Sequence, residues 1–307
     1  MKLHDTQITN YLTFCKSQKC LDVKTIRAYK IDLTHFASTM PAETSLYDIA
    51  SRQIESYIAH LHSIYKPKTA KRKIASLKAF FHYCEFYEFI ERNPFDKIQI
   101  RFREPVILPK TIPLQTLELF LSTIYNQRQL ATTSYQQKNA LRDAAIIELL
   151  FATGIRISEL CSLKSCDVNL NDNFVLIYGK GSKERKLQIG NDNVLKTLNA
   201  YKNTFSKEIE NCGHFFANQS GKPLSDQSVR RMIQKYASLA GIDQHITPHM
   251  FRHTFASSLL DADVDIRYIQ EMLGHSSITT TQIYTHVTLA KQKMILTTKH
   301  PRNGFCI

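Results

Sequence analysis

The stretch DKIQIRFREPVILPKTIPLQ, residues 96–115, divides the chain. It contains three prolines and no helical repeat of apolar residues, and each proline favours extended backbone for itself and for the residue before it. We therefore interpret residues 101–112 as an interdomain linker, with one domain at 1–100 and a second at 113–307. A chain of 307 residues is long enough for two ordinary domains.

The residues before the linker have the apolar spacing of helices. In TIRAYKIDLTHFASTM, apolar side chains recur at intervals of three and four, and SRQIESYIAHLHSIY repeats the pattern. The longer segment KTAKRKIASLKAFFHYCEFYEFIE combines an apolar face with a basic one. We expect four helices joined by short turns, which form a small bundle.

The residues after the linker predict a mostly helical domain with one pair of strands. In NFVLIYGKGSKERKLQI, residues 173–189, two β-like runs flank a basic, glycine-rich turn, which is typical of a hairpin. Residues 126–139, NQRQLATTSYQQKN, are polar and weakly periodic, and we interpret them as a surface loop or a short extra helix. The fold class is therefore mainly α, with a mixed α/β second domain.

Positive charge is the strongest global feature. The chain has 40 Lys and Arg against 27 Asp and Glu, a net charge of +13. Residues 1–105 hold 17 basic and 11 acidic side chains, so both halves share the excess. This distribution favours a polyanionic partner contacted along the whole molecule, and the alternative is a basic soluble protein without such a partner.

The sequence also indicates the cellular compartment in which the protein acts. The seven cysteines are scattered and odd in number, without a metal-like spacing, and we interpret them as reduced thiols. No window approaches the ~18 consecutive apolar residues of a membrane span, and the N-terminus lacks the apolar core of a signal peptide. We expect a cytoplasmic protein with no membrane partner.

The segment FATGIRISELCSL, residues 151–163, joins two predicted helices. The first ends at Gly154, and the second begins near Ser158 as its N-cap, with Glu159 in the first turn. Arg156 lies between them among apolar residues, where an unpaired charge would be expensive. Spacing alone leaves two alternatives of equal weight: an ion pair with Glu159, or a guanidinium directed at a bound anion.

Two further segments place cations at a turn and a helix start. In YGKGSKER, Lys180 lies between two glycines, as either a solvated turn lysine or an ammonium that reaches a phosphate oxygen. In ITPHMFRHTFASSLL, Thr247 caps a helix whose first residue is proline. His249 and Arg252 then share one face with His253. The Glu of the zinc motif His-Glu-x-x-His is absent, and we interpret His253 as structural.

The segment LGHSSITTTQIYTH, residues 273–286, adds His275 and Tyr284. The four segments together supply two guanidiniums, one ammonium, two imidazoles and one phenol, without a carboxylate cluster for a metal. That inventory suits metal-free phosphoryl transfer. The cations would neutralise the non-bridging oxygens, the phenol would attack, and the lysine would protonate the leaving alkoxide. Nearby cations would favour ionisation of a tyrosine whose ordinary pKa is about 10.

The order of these segments resembles the tyrosine recombinase and phage integrase family, most closely its Xer-type and small integrase branch. The resemblance covers about residues 112–300 through four specific motifs, and the N-terminal half matches only as a helical, basic bundle. It implies a SAM-like core-binding domain and a mostly helical α/β catalytic domain with a small antiparallel sheet. It also implies a bacterial protein that associates with the nucleoid when bound to DNA.

The resemblance assigns a role to each motif residue. It makes Arg156 the first catalytic arginine, steadied by Glu159, and Lys180 the general acid. It makes Tyr284 the nucleophile that forms a 3′-phosphotyrosyl bond. The remaining catalytic residues are His249, Arg252 and His275. Each position holds the expected residue type, which indicates an active site-specific DNA strand transferase.

The resemblance also implies how the reaction runs. Such proteins clamp double-stranded DNA between their domains, and four protomers exchange strands in pairs through a Holliday junction. The phosphotyrosine keeps the energy of the broken phosphodiester, so we expect no cofactor and no metal. We expect a homotetramer in which the C-terminal helix docks on the next protomer; docking on its own domain is the alternative. Accessory DNA-bending proteins or a paralogous recombinase are further candidate partners.

Basic and polar side chains outside the motifs are candidates for contacts with DNA. In the family, a helix like SDQSVRRMIQKYA, residues 225–237, contacts DNA. Our candidates for these contacts are Lys68, Lys71, Arg72 and Lys73 in the first domain and Lys183, Gln227, Arg230 and Arg231 in the second.

Tyr284 lies in a threonine-rich run, residues 278–287, whose threonine, isoleucine and valine residues cost about 0.5 kcal/mol each in a helix relative to alanine. We hypothesise that this marginal helix leaves the nucleophile undocked until a neighbouring subunit packs against it. The alternative is that the same residues pack rigidly in the core.

Several roles are compatible with this chemistry. Residues 126–139 exceed the corresponding Xer-type connection in length, which favours integration or excision of a mobile element over Xer-type resolution of chromosome or plasmid dimers. The same fold could also serve a non-catalytic DNA-binding regulator or a type IB topoisomerase-like activity, and the intact catalytic set argues against the regulator. A metal-dependent nuclease is least favoured.

Overall fold

The computed structural model describes residues 3–41, 44–100, 109–179, 184–218 and 220–274. The chain divides into two compact units, Met1–Val106 and Ile107–Ile307. This division falls within the interval that we interpret as a linker, of which residues 101–108 lie outside the described residues.

The first unit is a helical bundle. Its α-helices, over the described part of residues 1–106, are α1 Leu3–Ser17, α2 Val23–Thr39, α3 Ser51–Ile64 and α4 Pro67–Phe86, with a short 3₁₀ helix at Leu46–Asp48. Local sequence sets the helix starts: Asp22 accepts the N–H of Lys24 at 2.8 Å, and Pro67 is the first residue of α4. The apolar faces meet in a core that includes Tyr11, Leu33, Phe36, Ile54, Leu61, Ile74, Leu77 and Phe81.

The second unit is mostly helical, with a small sheet. Its helices, within 109–179, 184–218 and 220–274, are α5 Leu114–Gln129, α6 Ser134–Thr153, α7 Ile157–Ser162, α8 Asp192–Thr204, α9 Ser206–Cys212, α10 Asp226–Leu239, α11 Pro248–Asp261 and α12 Ile266–Leu273. The strands are β1 Val168–Asn169, β2 Phe174–Tyr178 and β3 Glu184–Gln188. Both pairings are antiparallel in the order β1-β2-β3, which confirms the predicted hairpin.

Helix α6 lies at the centre of the second unit. Eleven of its residues are buried, including Ala144, Ala145, Ile147 and Leu150, so protein surrounds most of its circumference. It packs against α5, α8 and α11. Its small alanines allow close approach of these neighbours, and its C-terminal end brings Gly154 to the start of the candidate site.

The polar segment 126–139 differs from our expectation of a loop or an extra helix. Residues 126–129 are the last turn of α5 and residues 134–139 are the first turns of α6. Thr133 begins α6 through a capping box, in which its hydroxyl accepts the N–H of Gln136 at 3.2 Å. Capping chemistry outweighs the weak apolar period, and the connection between the helices is only residues 130–133.

Candidate active site

The turn after α6 places Arg156 and Glu159. Gly154 ends α6 with a φ of 62°, a left-handed conformation that favours glycine. The N-cap of α7 is Arg156 rather than the predicted Ser158. The Glu159 carboxylate accepts the Arg156 backbone N–H at 2.8 Å and its guanidinium at 2.8 Å. The ion pair that the sequence left open is therefore present, and the Arg156 side chain keeps 35% of its surface exposed.

Glu159 has a second partner that sequence reasoning missed. Arg185 of β3 donates to both carboxylate oxygens, at 2.7 Å and 3.2 Å, and both side chains are nearly buried. Burial alone would raise the pKa of Glu159, but the hydrogen bonds and charges of Arg185 and Arg156 hold that pKa below its ordinary value. Strand alternation was the available signal, since Arg185 lies two residues before the buried Leu187.

Helix α11 contributes a buried guanidinium. Arg252 is only 4% exposed, and it donates to the backbone carbonyls of Gly154 at 2.8 Å and Leu273 at 2.7 Å. These bonds join the end of α6 to the end of α12. A buried arginine is tolerated here because carbonyl oxygens accept its N–H groups.

The two histidines of α11 have low pKa values for related reasons. Burial, followed by the charges of Arg230, Arg252 and Arg156, lowers the pKa of His249. Burial, followed by His249 and Arg252, lowers the pKa of His253 to about 4. Both imidazoles are therefore neutral near pH 7. The three guanidiniums that act on His249 come from α7, α10 and α11, which indicates a convergent cationic cluster.

The end of α12 is held by arginines from three elements. Its last carbonyls accept from Arg185 Nε (Met272 O, 2.9 Å), from Arg252 (Leu273 O) and from Arg156 (Gly274 O, 3.5 Å). A helix C-terminus presents carbonyls that need such donors. Three predicted motifs thus meet at the residue that directly precedes His275.

The predicted DNA-contacting residues of α10 divide into two kinds. Gln227 and Arg231 are exposed, whereas Arg230 is half-buried and its charge acts on His249. Arg230 therefore lies near His249, a catalytic candidate, whereas the sequence predicted only a contact with DNA.

The basic residues of α4 also divide. Lys68 and Lys71 are exposed, and Arg72 is half-exposed while it pairs with Asp32. Lys73 is a correction to our prediction: it is 5% exposed, pairs with Asp32 at 3.2 Å, and lies over the Tyr65 ring. Its ammonium neutralises the buried Asp32 carboxylate inside the bundle. It is therefore not available for a contact with a DNA phosphate.

Four predicted site residues lie outside the described residues: Lys180, Lys183, His275 and Tyr284. The threonine-rich run 278–287 and the C-terminal tail lie outside them as well. Within the described ranges, no group of three or more His, Cys, Asp and Glu side chains could hold a metal ion. No helix in those ranges has the length and apolarity needed to cross a membrane.

Comparison with known proteins finds relatives that match both units of the chain. The model of the phage integrase family matches residues 124–291, and that of the phage integrase N-terminal SAM-like domain matches residues 8–85. A tyrosine recombinase from Agathobacter rectalis is 67% identical over 303 residues, 98% of each chain. Tyrosine recombinase XerD from Listeria innocua is 34% identical, covering 96% of this chain and 98% of the relative.

A solved structure has the same fold. The XerH site-specific recombinase bound to its difH substrate, in a pre-cleavage complex, superposes with a TM-score of 0.70 at 24% identity. The match covers 92% of this chain and 83% of that chain.

Proposed function

The chain belongs to the phage integrase family and is a site-specific DNA recombinase of the tyrosine type, and from that premise we propose how its site cuts and rejoins DNA. The Tyr284 phenolate, formed by loss of its proton to solvent and favoured by the neighbouring cations, attacks the phosphorus, forms a 3′-phosphotyrosyl bond and releases the 5′ oxygen. Lys180 protonates that leaving oxygen, and Arg156, Arg252, His249 and His275 neutralise the non-bridging oxygens. Attack by the 5′ hydroxyl of another strand reverses these steps through a Holliday junction.

One observation carries this proposal: Arg156 and Arg252 meet at the end of α12. Arg156 donates to the carbonyl of Gly274, and Arg252 to those of Gly154 and Leu273. Two guanidiniums held by carbonyls can face a phosphate with fixed geometry, which stabilises developing charge without reorganisation. His249 begins neutral, and an arriving phosphate would raise the pKa of its imidazole and favour its positive form.

Partners follow from the same chemistry. We propose that the substrate is double-stranded DNA contacted by both units, since both carry a positive excess, and that four copies of this chain form the synapse. The phosphotyrosine keeps the energy of the broken phosphodiester, so the reaction needs no external energy source. The arginine, lysine and histidine side chains stabilise the phosphate charge in place of a metal.

Two biological roles remain as proposals. Integration or excision of a mobile element was favoured by the length of segment 126–139, but that segment consists of helix ends around a short turn. Xer-type resolution of replicon dimers is supported by the similarity to a XerD protein along nearly the whole chain. The DNA sequence that the protein cuts separates the two roles.

The test of the chemistry is covalent trapping on nicked suicide DNA in EDTA. One set of duplexes carries the junction of the element's ends, and a second carries the dimer-resolution region of the replicon. Wild type should give a protein–DNA band on a denaturing gel, and Tyr284→Phe should give none. Tyr268→Phe, which alters an exposed tyrosine of α12, should behave as wild type.

Each result has a clear meaning. A band in the Tyr284→Phe variant would identify a different nucleophile. A wild-type band that appears only when a divalent metal is added would overturn the metal-free mechanism. The set of duplexes that gives the band identifies the role.

A further inference from the structure

We propose that Arg185 is a positioning residue for strand cleavage: through Glu159 it fixes the Arg156 guanidinium, and through the Met272 carbonyl it fixes the end of α12. The inference rests on the proposed function, because it concerns the residues to which we assign catalysis. It gives a role to a residue of the hairpin motif to which no catalytic role was assigned, one that joins strand β3 to α7 and α12.

The contacts of Arg185 account for each of its nitrogens. Nη2 and Nη1 donate to the two oxygens of Glu159 at 2.7 Å and 3.2 Å, and Nε donates to the carbonyl of Met272 at 2.9 Å. The planar fork of arginine matches a carboxylate with two parallel bonds and leaves Nε for a third acceptor. A lysine ammonium cannot reproduce this geometry.

The exposed fractions along this chain of contacts suit a positioning role. The Arg185 side chain is 9% exposed and that of Glu159 is 7% exposed, whereas Arg156 keeps 35% of its surface. The exposed member of the chain Arg185–Glu159–Arg156 can reach a phosphate, and the two buried members determine where it lies. Arg185 therefore acts on Arg156 through Glu159.

Arg185 packs closely against the backbone at Gly274. Gly274 has a φ of 64°, and a Cβ at that position would lie 2.8 Å from Arg185 Nη1. Arg185 thus packs directly against the residue that precedes His275 in the sequence. A displacement of about 1 Å in such a contact can lower a catalytic rate about a hundredfold.

The pKa of Glu159 should change when Arg185 is replaced. Among the described residues, the charged groups that act on its carboxylate are Arg156 at the start of its own helix and Arg185 from β3. Because Arg185 lowers the pKa of Glu159, its removal should raise that pKa. Glu159 would then be protonated, and would release Arg156, at a higher pH than in wild type.

The first arm of the test uses the free protein. Carbon-13 NMR of glutamate-labelled chain, with the Glu159 signal assigned from Glu159→Gln, would follow that carboxyl through a pH titration. Arg185→Gln should raise its midpoint, and Lys186→Gln should leave it unchanged. Lys186 is the matched control because it is the next residue of β3, is exposed, and removes the same charge.

The second arm measures cleavage of a trapped suicide duplex under single-turnover conditions. Arg185→Gln should cleave about ten- to a hundredfold more slowly than wild type, with its DNA dissociation constant within about twofold. The loss of rate at low pH should move to higher pH. Arg185→Lys keeps a charge near Glu159, so it should restore the pH profile but only part of the rate. Arg185→Gln should slow Glu159→Gln by a smaller factor than it slows wild type, because only the contact with the Met272 carbonyl is then left to lose.

The outcomes separate this inference from the proposed function. An unchanged Glu159 titration in Arg185→Gln overturns the inference whatever the DNA result. Cleavage by Arg185→Gln at the wild-type rate overturns it as well. A slower rate also overturns it if weaker DNA binding explains the whole loss and the pH profile of cleavage is unshifted. Absence of a covalent complex from wild type on every DNA argues against the proposed function. The NMR titration still tests the contact between Arg185 and Glu159 in that case. Circular dichroism of each variant identifies any that fails to fold.

Discussion

At the scale of single residues, Gly154 combines a conformational and a packing requirement. Its φ is 62°, and a Cβ built on it would lie 2.5 Å from Cδ1 of Phe255. Its carbonyl also accepts a bond from Arg252. A side chain here must strain the backbone, displace an aromatic ring and move an acceptor of the candidate catalytic arginine.

We expect Gly154→Ala to destabilise the second unit more than Gly213→Ala does. Both glycines have positive φ, but a Cβ on Gly213 would meet no described atom within 4 Å. Gly213→Ala therefore measures backbone strain, about 1–2 kcal/mol, and Gly154→Ala should cost about 1–3 kcal/mol more through overpacking. Urea unfolding followed by circular dichroism checks this difference. Equal losses of unfolding free energy in the two variants would show that the Phe255 ring moves aside for the added methyl group.

At the scale of elements, a buried carboxylate joins α2 to α4. Asp32 is 2% exposed and accepts from Arg72, from Lys73 at 3.2 Å and from the Ser76 hydroxyl at 2.9 Å. Arg72 reaches this carboxylate while its side chain stays about half exposed. The same contact that joins the helices therefore fixes one of the cations we assign to DNA.

We expect Asp32→Ala to destabilise the first unit by about 3–5 kcal/mol, because it leaves the Lys73 ammonium buried without a carboxylate. Asp96→Asn, an exposed carboxylate outside the helices, should change stability by less than about 0.5 kcal/mol. Calorimetric unfolding checks both values. Adding Lys73→Met to Asp32→Ala should recover part of the loss, and no recovery would assign the loss to packing instead.

At the scale of the whole molecule, the net charge of +13 should appear as a steep salt dependence of DNA binding. Each phosphate contact contributes about 0.9 to the slope of log K against log salt. Lys68 and Lys71 lie exposed on α4, and removal of both should reduce that slope by about 2.

The measurement compares Lys68→Gln/Lys71→Gln with Lys24→Gln/Lys30→Gln across a salt titration of DNA affinity. The second pair removes the same charge from exposed positions of α2, and we expect its slope to stay near that of wild type. Equal reductions in both pairs would indicate a general field effect of the net charge rather than contacts at Lys68 and Lys71.

The sequence by itself determined the features that depend on neighbours along the chain. The helical spacing before the linker, the hairpin at 173–189 and the proline start of α11 are local patterns, and each appears in the structure. The four catalytic motifs were likewise recognisable from their order. The catalytic roles of their residues stay predictions, and Lys180, His275 and Tyr284 lie outside the described residues.

Only the tertiary structure decided which charges meet. Spacing offered Arg156 as one possible partner of Glu159, but the choice of Arg185 as its second partner depends on how β3 packs beside α7 and α12. In the same way, Lys73 lies inward because helix packing leaves the Asp32 carboxylate buried beside it. Ion pairs form between groups that folding brings within a few ångströms, and periodicity along one element cannot reveal which distant group that will be.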